Sequence, residues 1–489
     1  MRTFGASSVT MTVWAQARRL WPLILAVGGL MGLLVVLQPV LILYAAWALA
    51  ALGALVLMAM LLLRSPEILF ALFMSVGSFK ASLLPLQERL GFDLTVALAI
   101  LVIAGITIIV LRKRNPIQLH WPTLSIYLLL AGWMWFSIMW SPAQERGWAK
   151  SARFATLTLL AFVAPMFLLD TWSRLERFLG TLFLAGTVFT AAALIVLLQA
   201  GRLQRVVTVL GADYLTLGNV CGLTALLGIY FLIRGGMKWW LRLALLVCVS
   251  AAILMVFLGG ARGPLVGWPL ALLSPAILGR LRSREAFLAL GIPLVGVVLF
   301  GGGWALGLLP YDVTRRFEVL FAAFLLGDRW AVRLVPRIHI WQVGLDMFLQ
   351  HPFFGAGGGG YETSVHGVEV VYPHNLFLEA GAELGIVGLT LTLFLVVIPL
   401  VKWRRCSRIR LPIRHRRLLN MVLWVYSYGF VAVMKSGDFN TNRAFWMSVG
   451  IVISVCMLVT REIRSRVNAE VARASQQERT RVPTPASSR

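Results

Sequence analysis

Apolar residues along this chain neither alternate with polar ones nor mark a single helical face; they come in unbroken runs. Runs of about 16 or more mostly apolar residues fall near 21–37, 40–63, 67–86, 92–111, 121–140, 154–169, 177–200, 215–233, 239–259, 264–279, 286–308, 376–401, 418–435 and 443–460. Such runs predict membrane-spanning helices, which satisfy their own backbone groups within one segment; the strands of a barrel would alternate. Pro39 separates the first two runs, and 67–86 holds Lys80 and meets Pro85 near its end. The expected fold is therefore an all-α, polytopic membrane protein of about 12 spans, within a range of about 12–14. One polar segment, 309–375, interrupts the series. The chain divides into N-terminal spans over 1–308, that loop, C-terminal spans over 376–460, and a polar, Arg-rich tail over 461–489 whose composition predicts disorder.

Composition agrees with the pattern: 59% of residues are hydrophobic, 13% are charged, and the mean hydropathy is +0.83. The net charge of +25 adds orientation. Arg18, Arg19, Arg64, the run 112–114, Arg174, Arg177, Arg234, Lys238, Arg242, Arg280, Arg282, Arg284, the run 402–417 and the tail from Arg461 fall on alternate turns. Basic loops mark the cytoplasmic side, so both termini are expected inside and 309–375 outside. This distribution reads as topology and not as a nucleic-acid patch, so no nucleic-acid partner is expected. A basic stretch precedes the first apolar run without a small-residue cleavage site, as in an uncleaved first helix. Cys221, Cys248, Cys406 and Cys456 lie in spans or on the cytoplasmic side, so no pair is placed to staple the outer loop. No internal repeat suggests a transporter built from two halves.

That topology makes some basic residues anomalous. Arg262, in "LGGARGPLVGW", sits at the outer end between two spans, and Arg315, Arg316, Arg329, Arg333 and Arg337 lie in the outer loop. A guanidinium offers a planar fork of donors that suits a diphosphate head group. Ion pairs with the loop's Asp312, Glu318, Asp328, Asp346, Glu362 and Glu369 are the plain alternative. Pro336 can open a helix carrying "RIHIWQVGLDMFLQ", with Arg337 in its first turn, where free N–H groups favour anions. Ile338, Trp341, Leu345 and Phe348 recur at three- and four-residue steps, a stripe suited to the bilayer surface. The glycine-rich "HPFFGAGGGGYETSVHG" lacks the Lys-Ser/Thr of a phosphate-binding loop and reads as a flexible connector.

His374 is the histidine best placed for chemistry, because it stands at the outer mouth of a span, beside both lipid and water. A plain helix cap, with Asn375 as the capping residue and His374 incidental, is the other reading of the same residues. His339, His351 and His366 are too scattered to serve as metal ligands, and no Asp-x-Asp pair or HExxH arrangement stands on the outer side, so neither metal nor cofactor is expected.

The spacing His374–Asn375, nine residues, Gly385, two residues, Gly388–Leu389 resembles the pattern of the O-antigen ligases, in the superfamily they share with O-antigen polymerases and O-oligosaccharyltransferases. Upstream, "RIHIWQVGLDMFLQHPFFGAGGGGYE" resembles the superfamily's Arg-x-x-x-Trp helix and the His-Pro and Gly-x-Gly segment after it; the large outer loop before the last spans is similar too. The likeness covers roughly residues 205–445 and implies a GT-C-like architecture. It implies that His374 is the catalytic base, that Arg337 and Arg262 bind diphosphate, and that the acidic Asp438 of "KSGDFNTNR" supports them. Arg315 and Arg316 of the outer loop are further diphosphate-binding candidates, and Asn375 and Glu383, beside the histidine and in the span it opens, are further supporting candidates. Lys150 and Arg153 match no motif.

The resemblance further implies transfer of a polysaccharide from undecaprenyl diphosphate to lipid A–core oligosaccharide at the periplasmic face of a bacterial inner membrane. The expected chemistry is metal-independent and inverting. A neutral His374 takes the proton of the attacking hydroxyl, and the arginines stabilise the departing diphosphate. One such donor is commonly worth about 3 kcal/mol, so losing Arg262 or Arg337 is expected to slow transfer roughly a hundredfold in a single-turnover assay. Within the superfamily, polymerisation and protein O-glycosylation remain as alternatives. In another class, a transporter of lipid-linked sugars predicts charged groups at mid-membrane, whereas here they gather at the outer border.

Overall fold

The computed structural model describes residues 58–79, 91–112, 119–200, 213–259, 262–278, 301–307, 336–365 and 368–481, with isolated positions between them. The chain forms two compact units, Met1–Arg64 and Ser65–Arg489. In the first, Met58–Arg64 is helical.

The second unit contains helices α1 (Pro66–Ser75), α2 (Leu94–Arg112), α3 (Trp121–Phe136), α4 (Gln144–Arg153), α5 (Leu159–Leu168), α6 (Trp172–Ala200), α7 (Tyr214–Arg234), α8 (Trp239–Leu258), α9 (Arg262–Ile277), α10 (Pro336–Gln350), α11 (Leu376–Ser407), α12 (Ile413–Val433) and α13 (Arg443–Arg481). A hairpin of β1 (Thr363–Val365) and β2 (Val368–Val370) pairs Thr363 with Val370 and Ser364 with Glu369. Among the described residues eight helical segments, counting α4 and α5 as one, are long and apolar enough to cross a membrane. The chain is an all-α polytopic membrane protein.

Helix direction separates two chemistries. At one end, where α6 and α12 begin and α11 finishes, carboxylates hold basic loops: Glu67 accepts from Arg177 at 2.6 Å, Glu176 pairs with Arg234 and Arg414, and Glu462 pairs with His415 and Arg466. At the other end, where α7, α9, α11 and α13 begin, stand His374 and its neighbours. The core beneath them is aromatic. Tyr127 stacks between Phe154 and Phe162, meets Trp446 edge-on, and donates its buried hydroxyl to the Phe154 carbonyl at 2.9 Å. A buried tyrosine hydroxyl needs such an acceptor, and this one ties α3 to the start of the π-turn that joins α4 to α5.

Helix α11 explains the second half of the sequence motif. Gly385 has φ 64° and ψ −161°, a region open to glycine alone, and it breaks the helix one third of the way along. The break frees carbonyls that water cannot reach. Ala382 O accepts from Ala356 N–H and Glu383 O from Gly357 N–H, both at 2.9 Å, while Leu384 O accepts from the Trp133 indole at 3.0 Å. Two of these three partners come from the glycine-rich segment, which is therefore no flexible connector. Ser141 lies so close to Gly357 that a Cβ there would fall 2.5 Å from its Cα, and Gly357 itself has φ 96°. The glycines are needed for close approach of backbone to backbone, which composition alone cannot distinguish from flexibility.

Helix α10 departs from expectation as well. Ile340 packs with Tyr361 and Ala382, joined by Val343 and Met347, so the face against α11 is not the expected stripe. Phe348 meets Gly381, while Trp341 and Leu345 stay exposed. The helix is apolar on two sides, one for the protein and one for its surroundings.

Candidate functional site

The chain reaches His374 from the hairpin and turns there into α11. Its φ is 53°, a left-handed conformation found at no other non-glycine position among the described residues. Such a backbone is costly for a residue with a Cβ and persists where surrounding contacts hold it. Pro373 on one side and the Asn375 cap on the other provide that hold; Asn375 Oδ1 accepts from the N–H groups of Phe377 at 3.1 Å and Leu378 at 3.2 Å. Asn375 is thus a cap, and the cap fixes where the imidazole stands. The ring meets Tyr372 edge-on at 4.6 Å, and its Nδ1 is buried without a hydrogen-bond partner.

Tyr372 and His374 line a cavity of about 430 Å³ between the starts of α7 and α13, the end of α12 and the turn after α1. Burial and then the Arg337 guanidinium push the imidazole down to about 4, with Asp438 acting the other way. Arg337 and Asp438 therefore lie within electrostatic reach of His374. Asp438 also organises its own loop, accepting from Thr441 N–H at 2.7 Å and from the Thr441 hydroxyl at 2.6 Å.

Lys435 is the functional candidate that the sequence reading missed. The apolar run suggested a span through 435, but α12 stops at Val433 and leaves Lys435 in the outer turn. Its ammonium donates to Asn219 Oδ1 at 3.1 Å and presses against Gly263 so closely that a Cβ there would fall 1.5 Å away. Burial first, and then Arg337, lower it to about 8. Among the described residues neither Lys435 nor Arg337 forms an ion pair. A signal did exist: Lys435 is one of six lysines and, like Arg262 and Arg337, stands on the side opposite the basic loops.

The other expected residues are placed as follows. Arg262 is the first residue of α9 and precedes the Gly263 that Lys435 touches; its side chain lies outside the described residues. Arg315 and Arg316 lie outside them too. Glu383 is buried away from the cavity, where Lys150 Nζ bonds it at 2.6 Å and also reaches Glu379. Glu383 Oε2 further accepts from Gly359 N–H at 3.0 Å and Glu379 Oε1 from Phe439 N–H at 3.1 Å. This triad clamps the glycine-rich loop and the α12–α13 loop onto α11. Glu362 and Glu369 of the hairpin region pair with Arg146 of α4, the plain role weighed for loop carboxylates. No group of three or more His, Cys, Asp or Glu side chains gathers among the described residues, and the four cysteines are free.

A neutral imidazole beside unpaired cations can accept a proton while the cations hold an anion, which is the division of labour that displacement of a phosphate-linked group requires. Comparison with known proteins is consistent with this chemistry. Residues 248–393 match the family model described as O-Antigen ligase, a stretch that includes Arg262, Arg337 and His374 and ends before Lys435. The chain is also 27% identical over 278 residues to the O-antigen ligase of Pseudomonas aeruginosa strain PAO1, a match covering 55% of this chain and 62% of that relative's length. Both findings support the likeness to the O-antigen ligases carried by the motif around His374, and the chain spans less than two thirds of the relative's length.

Proposed function

We propose that the protein transfers a polysaccharide from undecaprenyl diphosphate to a hydroxyl of lipid A–core oligosaccharide, at the outer face of a bacterial inner membrane and without a metal ion. The supporting observation is the cavity at His374, where a partly buried imidazole lies in the field of Arg337, which also acts on Lys435. The acceptor oxygen forms a bond to the anomeric carbon as the bond from that carbon to the diphosphate oxygen breaks. The hydroxyl proton passes to the imidazole, and the electron pair leaves with the diphosphate. Arg337, Lys435 and Arg262 stabilise the charge that accumulates there. Direct displacement inverts the anomeric centre.

The acceptor decides between this reading and polymerisation. Purified protein given labelled lipid-linked polysaccharide should move label to lipid A–core. Label moving only onto a second lipid-linked chain would reject ligation.

Lys435 adds a prediction with a sign. Its charge is present below about pH 8 and fades above it, because burial and Arg337 both disfavour the ammonium. Donor capture by the free enzyme, read as kcat/KM, should therefore weaken as pH rises through about 8. Lys435→Arg should remove that alkaline decline. Lys435→Met should lower kcat/KM for donor about 10-fold already at pH 7, the order expected for one lost hydrogen bond to a charged group.

A further inference from the structure

Arg443 opens α13 and lines the same cavity as His374, next to Gly77. Its guanidinium packs over the Phe73 ring, 5.6 Å from the centroid, and its Nη2 lies 3.4 Å from where a Cβ on Gly77 would stand. Nη1 is shielded and has no hydrogen-bond partner. Among the described residues no carboxylate pairs with it; Asp93 acts on it only electrostatically, and Arg153 opposes Asp93. More exposed arginines are paired: Arg177 is held by Glu67, Arg146 by Glu362 and Glu369, and Arg414 by Glu176, whereas Arg443, like Arg337, has no carboxylate partner among the described residues. An aromatic face attracts a cation but offers no acceptor for its N–H groups. A buried guanidinium with an unmet donor, facing a cavity, is a group awaiting an anion.

We propose that Arg443 binds the phosphate of the donor diphosphate that is distal to the sugar. This inference rests on the function proposed for the cavity. The phosphate proximal to the sugar must leave from the anomeric carbon, so it belongs beside His374, in the field of Arg337. A second phosphate then falls farther along the same cavity, and Arg443 is the cation that lines it among the described residues. The planar fork of a guanidinium matches phosphate oxygens in a way that an ammonium does not.

The test uses full-length protein in nanodiscs, with undecaprenyl diphosphate and undecaprenyl monophosphate as probes and binding as the readout. Wild-type protein should prefer the diphosphate. Arg443→Gln should lower diphosphate affinity at least 10-fold and erase most of that preference, and Arg443→Lys should fall between. Diphosphate affinity unchanged in Arg443→Gln, whether or not its thermal stability drops, would assign Arg443 to packing and overturn the inference. If Arg443→Gln fails to fold, unchanged diphosphate preference in Arg443→Lys has the same force. Arg443-dependent diphosphate binding with no transfer to lipid A–core would instead sink the ligation reading and leave the phosphate site standing; a wild type that binds neither lipid would sink both.

Discussion

Replacing His374 with alanine should lower the rate of transfer by about 10²- to 10⁴-fold, the range expected for loss of a positioned general base, at normal protein levels and normal donor affinity. The acid limb of the pH profile separates a base from a merely structural imidazole. Burial and Arg337 hold the ring at about 4, so it is neutral at pH 7 and ready to accept a proton. In the free enzyme, kcat/KM should stay level down to about pH 5 and fall through about 4, not through the 6.5 of an ordinary histidine. Arg337→Gln removes a charge that disfavours imidazolium and should move the limb upward. A bound diphosphate favours imidazolium, so the limb of kcat should lie above that of kcat/KM. Full transfer activity in His374→Ala would remove the base assignment.

Lys150→Met should be the most destabilising single substitution in the site's support. Lys150, Glu379 and Glu383 are all buried, and the lysine is the only cation bonded to either carboxylate among the described residues. Removing it strands two buried carboxylates, which costs about 3–5 kcal/mol by analogy with broken buried ion pairs. Thermal unfolding in nanodiscs should show the loss. The triple change Lys150→Met, Glu379→Gln, Glu383→Gln should recover much of it, because neutral amides can still accept the Gly359 and Phe439 N–H groups. If Lys150→Met kept wild-type stability and lost only transfer, the triad would be part of the chemistry and not of its support.

How much of the site the residues announced depends on whether the signal was local. The cap at Asn375 and the Pro-initiated helix at Pro336 were legible, because each is set by a residue's own hydrogen-bonding or torsional limits. The glycine-rich segment was misread: close approach to Ser141 and to the broken α11 is a relation between distant parts of the chain. Lys435 was missed for the same reason. A hydropathy run swallowed it, and its contacts with Asn219 and Gly263 span more than 170 residues. Glu383 was a supporting candidate, yet only packing could reveal that Lys150 answers both it and Glu379.

By itself, then, the sequence determined an all-helical membrane protein and the position of one histidine at the mouth of a span. Solvation by lipid acts on each stretch of residues separately, and capping acts within a few residues. The tertiary structure decided which charges meet. Only folding brings Arg337 within the fields of both His374 and Lys435 and leaves Arg443 unpaired at the cavity, because Coulomb interactions depend on distance in space and on burial, neither of which is written along the chain.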